Sequence, residues 1–337
     1  MARAKPKPVR LCELTPGQHG DFFALLAERT RSATRDGKPY YTCRFRDLHR
    51  TATFVAWSDG AWFERCETEW REGGFYKIRG TYLEHERYGP QIDIENIRAV
   101  VAADHEDGFD PLSLVERSRH DPEVMAAELR TLVTTEIADE PLRRLVLMIL
   151  DRHGDALRQR PATTNKFFPF AGGLLEHTLS VVRNCLLLAD KYRQQYPDLR
   201  PPLNRDLIVA AAVLHDIGRV LEFSDDVGSP QPTVPGRLLG HLFLGRDLVR
   251  DTAREIVDID PELLLLLEHM IVAHLNLPEW GSARLPLVPE CLILHHADDL
   301  DAKLEMYVRC LSRDVAPGPF TERDPVLGRP LLKERTR

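Results

Sequence analysis

Over roughly the first hundred residues, apolar and polar positions alternate. Beyond about residue 108 the apolar positions recur every three to four residues instead. In the first region "FFALLAERTRSAT", "YYTCRFRD" and "TATFVAWSD" read as strands, and Asp36-Gly37 between the first two is a hairpin signal. "AWFERCETEWREG" is short and amphipathic and predicts a helix that stops at Gly73-Gly74. Two more strands follow, "FYKIRGTYLEHE" and "QIDIENIRAV", joined through Tyr88-Gly89-Pro90. In the second region "DPEVMAAELRTLVTTEI" opens with Asp121 as N-cap and Pro122 at the first helical position. "EPLRRLVLMILDRHGDAL", "LLEHTLSVVRNCLLLADKY", "NRDLIVAAAVLHDIG", "GRLLGHLFLGRDLVRDTAREI", "PELLLLLEHMIVAHL" and "PECLILHHADDLDAKLEMY" continue the helical series.

Three strands, a helix and two strands is the order of an OB-fold, a five-stranded barrel of about 100 residues. The predicted fold is therefore multidomain: a basic tail over 1–9, an OB-fold barrel over 10–103, an all-α domain over 104–312, and a proline-rich tail over 313–337, extended or disordered. The polar, turn-rich "VVAADHEDGFDP" marks the boundary. OB-folds bind single strands by stacking bases on aromatics in a basic groove. The candidate contacts are Tyr41, Arg44, Arg46, Phe54, Trp57, Lys77 and Arg79, with barrel filling as the competing role for each aromatic. Strand alternation puts Tyr41, Cys43 and Phe45 on one face and Arg44 and Arg46 on the other.

Charge changes this picture slightly. Net charge is −7, yet residues 1–103 carry 17 Lys and Arg against 14 Asp and Glu. A mildly basic front part suits a polyanionic partner without demanding one. The six cysteines form no CxxC pair, so neither a disulfide framework nor a cysteine zinc site is indicated. "MARAKPKPVR" is basic and proline-spaced with no apolar core behind it, unlike a secretory signal peptide. The richest apolar run, "LLLLLEHMIVAHL", is broken by Glu268, His269 and His274. The expectation is a cytoplasmic protein with reduced thiols and no membrane partner, its oligomeric state open and a homo-oligomer among the options.

The histidines change it more. Seven of the 13 fall between 177 and 296. Several helices each place a histidine or carboxylate within an apolar face: His177, the doublet His215-Asp216, His241, His269 or His274, and one of the 295–301 cluster. A buried polar group without a partner costs about 1–3 kcal/mol, and a divalent ion at the crossing point would satisfy these together. Imidazole with carboxylate and no thiolate suits Mn²⁺, with Co²⁺, Fe²⁺ or Zn²⁺ as alternatives. Such an ion activates water for phosphoester hydrolysis.

His177, the His215-Asp216 doublet and a late aspartate resemble the pattern of HD-domain metal-dependent phosphohydrolases. "GGLLEHTLSV", "LHDIGRVLEF", "LLGHLFLG" and "LPEWGSARLPLVPECLILHHADDLDAK" are similar to YhaM-type 3′–5′ exoribonucleases, in which an OB-fold precedes the HD domain. The resemblance covers residues 10–312. It implies a core metal site of His177, His215, Asp216 and Asp298, with His241 and His274 at an adjacent second position. It implies a metal-dependent 3′–5′ exonuclease on single-stranded RNA or DNA, using metal-activated water, with Asp216 and Arg219 as catalytic residues. Asp299 and Asp301 are expected at the surface or as caps, and His269 as structural or outer-shell, since it lies about 140° around the helix from His274. Glu176 is expected to be solvated or outer-shell. Three positions depart from the family pattern: Leu275 where a second histidine is usual, Phe167-Phe168 where a histidine pair is common, and Arg219 for a lysine. Two other readings stay open: an HD phosphohydrolase of small or cyclic nucleotides, and a catalytically silent nucleic-acid-binding protein with a structural metal.

Overall fold

The computed structural model describes residues 8–226, 228 and 230–333. The basic stretch expected as a tail over 1–9 lies outside them except for its last two residues, and Val9 opens a strand. The chain forms two compact units, residues 1–117 with 226–230, and residues 118–225 with 231–337. No helix among the described residues is long and apolar enough to cross a membrane.

The first unit is a closed barrel. Its strands are β1 (Val9–Arg10), β2 (His19–Ala33), β3 (Pro39–Arg46), β4 (Thr51–Trp57), β5 (Phe75–His85) and β6 (Gly89–Ala99), with α1 (Phe63–Thr68) between β4 and β5. The sheet runs β1-β2-β3-β4-β6-β5, and β2 also pairs with β5, which closes it. The β4–β6 contact is parallel, at Thr53 and Gln91. Alternation fills the interior: Phe22, Phe45, Ile78 and Tyr82 are buried, and Trp70 packs edge-on against Phe45. The helix is shorter than its amphipathic stretch because Trp70 leaves it to enter this core, at 1% exposure. The helical domain is expected from 104, yet 104–117 group with the barrel. Asp104 takes hydrogen bonds from Arg98 and Lys77, and Phe109 packs between Phe23 and Phe75.

The second unit is all-α: α2 (Pro122–Glu136), α3 (Glu140–Gln159), α4 (Gly173–Gln195), α5 (Arg205–Leu214), α6 (Arg219–Glu222), α7 (Val234–Ala253), α8 (Pro261–Ala273) and α9 (Pro289–Arg313). Asp121, Asp139, Asn204, Thr233 and Asp260 cap their helices through side-chain oxygens, as short polar residues before a helix do. Every residue of α5 from Leu207 to Leu214 is buried, so this helix, apolar all round, is the centre of the unit. Helices α4, α8 and α9 pack around it.

The C-terminal segment is not the extended or disordered tail its prolines suggest. Phe320 and Leu332 form an antiparallel bridge, and Thr321 N donates to Leu331 O at 2.8 Å. Lys333 Nζ bonds Asp314 at 2.7 Å, and Asp324 accepts from Val326 N and Leu327 N, fixing a turn. Proline bars regular structure here but not long-range hydrogen bonds.

Candidate metal centre

Two helix ends use one local device. His215 follows the last turn of α5 and keeps helical backbone angles, φ −54° and ψ −42°. Its Nδ1 donates to the carbonyl of Ala212 at 2.8 Å. His274 ends α8 in the same way, Nδ1 donating to Ile271 O at 2.8 Å. A carbonyl only accepts, so both Nδ1 atoms carry the proton and both Nε2 lone pairs face inward. His177 on α4 is held from α9, with Nδ1 at 2.8 Å from Asp301 Oδ2.

Glycine sets the approach of the next element. A Cβ on Gly218 would lie 2.0 Å from His241 O and 2.5 Å from Gly245 N, so only glycine lets α7 come this close to the doublet. Gly240, at φ 71° and ψ 167°, kinks α7 through a backbone region essentially reserved for glycine, and His241 is the first residue after it.

The ligand-type atoms converge. His177 Nε2 is 3.0 Å from Asp298 Oδ1, and His215 Nε2 is 3.4 Å from His177 Nε2. Asp216 Oδ1 lies 3.2 Å from His241 Nε2 and 3.8 Å from His274 Nε2. His274 Nε2 is also 3.9 Å from Asp298 Oδ2. Among the described residues, His177, His215 and Asp298 form one group, and His215, Asp216 and His274 another, each with its ligand atoms within 4.8 Å of one another. The two groups share His215. His177, His215 and His274 are 0% exposed.

Protonation follows from burial and neighbours. Burial lowers His215, and burial with the adjacent His215 pushes His274 down to about 4, so both are neutral at pH 7. Burial alone would raise Asp298, but the hydrogen bond from His177 outweighs it and holds the carboxyl at about 2. Asp216 is held well below the usual carboxylate range, against burial, chiefly by Arg219 and then His241. His177 sits between two carboxylates, and Asp298 and Asp301 overcome its burial and push it up to about 10.

Three buried atoms are left without a hydrogen bond here: Asp216 Oδ1, His241 Nε2 and His274 Nε2. They face one another. Unpaired polar atoms clustered this closely in the interior are what a cation would satisfy, and imidazole and carboxylate ligands fit a divalent ion.

Some of the surroundings escape the motif. Asp301, expected at the surface or as a cap, holds His177 and accepts from Ser180 Oγ. It lies three residues beyond Asp298, on nearly the same face of α9, which is the signal that would have found it. Glu222 lies 3.5 Å from His241 Nδ1 and accepts from Arg219 at 3.0 Å. Arg219 also donates to Asp216 Oδ2 at 2.7 Å. Glu176 accepts from Ser118 Oγ and His269 Nε2 from Leu287 N, so neither joins the cluster. Asp299 pairs with Lys303. Phe167 and Phe168 place their rings 5.2 and 5.3 Å from the His177 ring. A cavity of about 690 Å³ adjoins the cluster, bordered by Asp298, His241, Arg219, Phe167 and Leu275.

In the barrel the register sorts the candidate strand contacts. Tyr41 is 7% exposed and donates to Glu67, and Phe54 packs on the core, so neither belongs to an open face. Trp57 is 49% exposed and pairs across strands with Tyr40, ring to ring at 5.0 Å. Arg44 and Arg46 lie on the same outward row, Arg44 3.4 Å from Glu28. Lys77 and Arg79 are engaged by Asp107 and Asp21. Tyr40, Trp57 and Arg44 form one outward row, and Tyr40 is the member that alternation should have added to the candidates.

A family model described as the HD domain matches residues 174–303. The chain is 31% identical to the 3′-5′ exoribonuclease YhaM of Bacillus licheniformis over 307 residues, 91% of this chain and 92% of that protein. It has the same identity and coverage to the 3′-5′ exoribonuclease YhaM of Bacillus subtilis. A domain of replication protein A from Methanococcus maripaludis covers 28% of the chain and 94% of that domain at 16% identity, with a TM-score of 0.23. The extent of the match to the two Bacillus proteins, through both units, is decisive: the chain belongs to the YhaM family of 3′–5′ exoribonucleases.

Proposed function

We propose that this protein shortens single-stranded RNA from its 3′ end by hydrolysis at the His–Asp cluster, the barrel holding the strand through the outward face of β3 and β4. The observation that carries this reading is the convergence of the unpaired buried atoms Asp216 Oδ1, His241 Nε2 and His274 Nε2 beside an open cavity. The oxygen of water attacks phosphorus, the P–O3′ bond breaks, and the departing 3′ oxygen takes a proton. The products are a nucleoside 5′-monophosphate and a strand one nucleotide shorter.

His177, His215, Asp216 and Asp298 would hold a divalent ion, with His241 and His274 available toward a second position. When bound, the ion supplies Lewis acidity toward a phosphoryl oxygen and brings the pKa of a neighbouring water toward neutrality. The chain's own work is positional. Ala212 O, Ile271 O and Asp301 fix the imidazole rings, as partners behind metal ligands do. Arg219 borders the cavity and uses two of its five N–H groups on Asp216 and Glu222, leaving others for phosphate charge. Phe167, Phe168 and Leu275 put hydrocarbon where the family pattern has histidine, which keeps the second position poorer in ligands than the first. Mn²⁺ is the ion of first choice, with Co²⁺, Fe²⁺ and Zn²⁺ suited to the same donors. We place the reaction in the cytoplasm.

The test is purified protein on 5′-labelled single-stranded RNA with Mn²⁺. A ladder shortening from the 3′ end is expected, slowed about 10³-fold or more by Asp216→Ala. Wild-type protein that retards the RNA on a gel but leaves it intact under all four ions overturns the reading.

A further inference from the structure

The cavity beside the cluster carries equipment that hydrolysis itself does not use. Three separate segments of the helical unit border it: Lys166 and Phe167 ahead of α4, Trp280 between α8 and α9, and Val326, Leu327 and Arg329 from the C-terminal segment. Trp280 closes a short turn, Pro278–Trp280, and is 47% exposed. Its ring is held 6.2 Å from the His295 ring and 5.1 Å from Lys303 Nζ. His295 is anchored in turn, its Nδ1 donating to His274 O at 2.8 Å. The aromatic surface is thus tied by one intermediate residue to the cluster.

Charge complements it. Lys166 and Arg329 are exposed on the same cavity, and neither forms an ion pair among the described residues. Asp299 on the wall is neutralised by Lys303 at 2.7 Å, while Glu279 remains an acceptor suited to a ribose hydroxyl. About 690 Å³ falls within the range of about 300–1,000 Å³ usual for small-ligand sites. A half-exposed indole, two cations and an acceptor around such a volume match one ligand chemistry, a heteroaromatic base on a sugar phosphate.

We infer that this cavity is the subsite for the 3′-terminal nucleotide, its base stacked on Trp280 and its backbone phosphate between Lys166 and Arg329. The inference rests on the exoribonuclease reading and deepens it. The C-terminal segment is then a wall of the substrate site, shaped by the Asp324 turn.

The test uses full-length protein and two readouts. Adenosine 5′-monophosphate is titrated calorimetrically into the protein in EDTA, and KM and kcat are measured on 5′-labelled single-stranded RNA in Mn²⁺. Trp280→Ala is expected to weaken the nucleotide about tenfold and to raise KM by a similar factor, kcat moving far less. Trp280→Phe recovers most of the loss, because the stacking face returns. Arg329→Ala weakens the nucleotide about threefold. No binding by the wild type, or equal binding by wild type and Trp280→Ala, overturns the subsite whatever the RNA assay gives. Wild-type protein that binds the nucleotide through Trp280 yet cleaves no RNA keeps the subsite and overturns the exoribonuclease reading.

Discussion

Asp104 in the barrel unit and Asp216 in the helical unit are both 2% exposed, and they are satisfied in opposite ways. Asp104 accepts from Arg98 at 2.6 and 2.7 Å, from Lys77 at 3.3 Å and from Val101 N at 2.9 Å. Both of its oxygens are used. Asp216 accepts from Arg219 through Oδ2 alone, and its Oδ1 faces two histidine nitrogens across 3.2 and 3.8 Å without forming a hydrogen bond. Both carboxyls are held well below the usual range, Asp104 first by the Arg98 hydrogen bond, Asp216 against burial by Arg219. A depressed pKa therefore does not separate structure from function here. The unused oxygen does. A closed hydrogen-bond set stabilises the fold, whereas an open one beside other open ones stores affinity for a cation.

The widest test of that contrast is ion removal. Mn²⁺ at 100 times its Kd adds about 2.7 kcal/mol to whatever binds it only when folded. Hydrogen exchange at α4, α5 and α9 should slow by that amount relative to protein in EDTA, while β2, β3 and β5 stay unchanged. Equal slowing in both units would break the contrast. Next comes Asp301→Asn, which leaves the cluster intact but weakens the hold on His177. Mn²⁺ affinity by calorimetry should fall about 10- to 100-fold, as for other partners behind metal ligands. An unchanged affinity would make Asp301 a helix-packing residue only.

The smallest effect belongs to Asp104→Asn. It should cost the barrel about 1.5 kcal/mol in a urea titration at pH 7, with Mn²⁺ affinity unaltered. The pH dependence has a definite sign. The folded pKa of Asp104 is depressed, so its stabilisation is fully present above the unfolded value of about 3.9 and is lost as pH falls below it. The wild-type barrel should lose stability in that acid window more steeply than Asp104→Asn, and parallel curves would refute the assignment.

Much of this was legible from residues alone. The shift from alternating to helical periodicity located both architectures, and the doublet in "AAAVLHDIG" lies at the end of a helix apolar on every face. Tyr41 shares a face with Cys43 and Phe45, and that face is the interior, so the outward aromatic is its neighbour Tyr40. A one-residue step reverses the face of a strand. The motif stops at Asp298 and so hides Asp301, though the helical repeat places the two together. The C-terminal return could not be read locally. Its order rests on Asp314 and Thr321 bonding residues eight or more positions away, which proline content does not reveal.

The close contact of Gly218 with the His241 carbonyl has a consequence for how the centre behaves as a chelator. The doublet and His241 already stand at their closest approach, and the rings of His177, His215 and His274 are buried and held by Asp301, Ala212 and Ile271. An arriving ion orders almost nothing, so little of its binding free energy is lost to entropy.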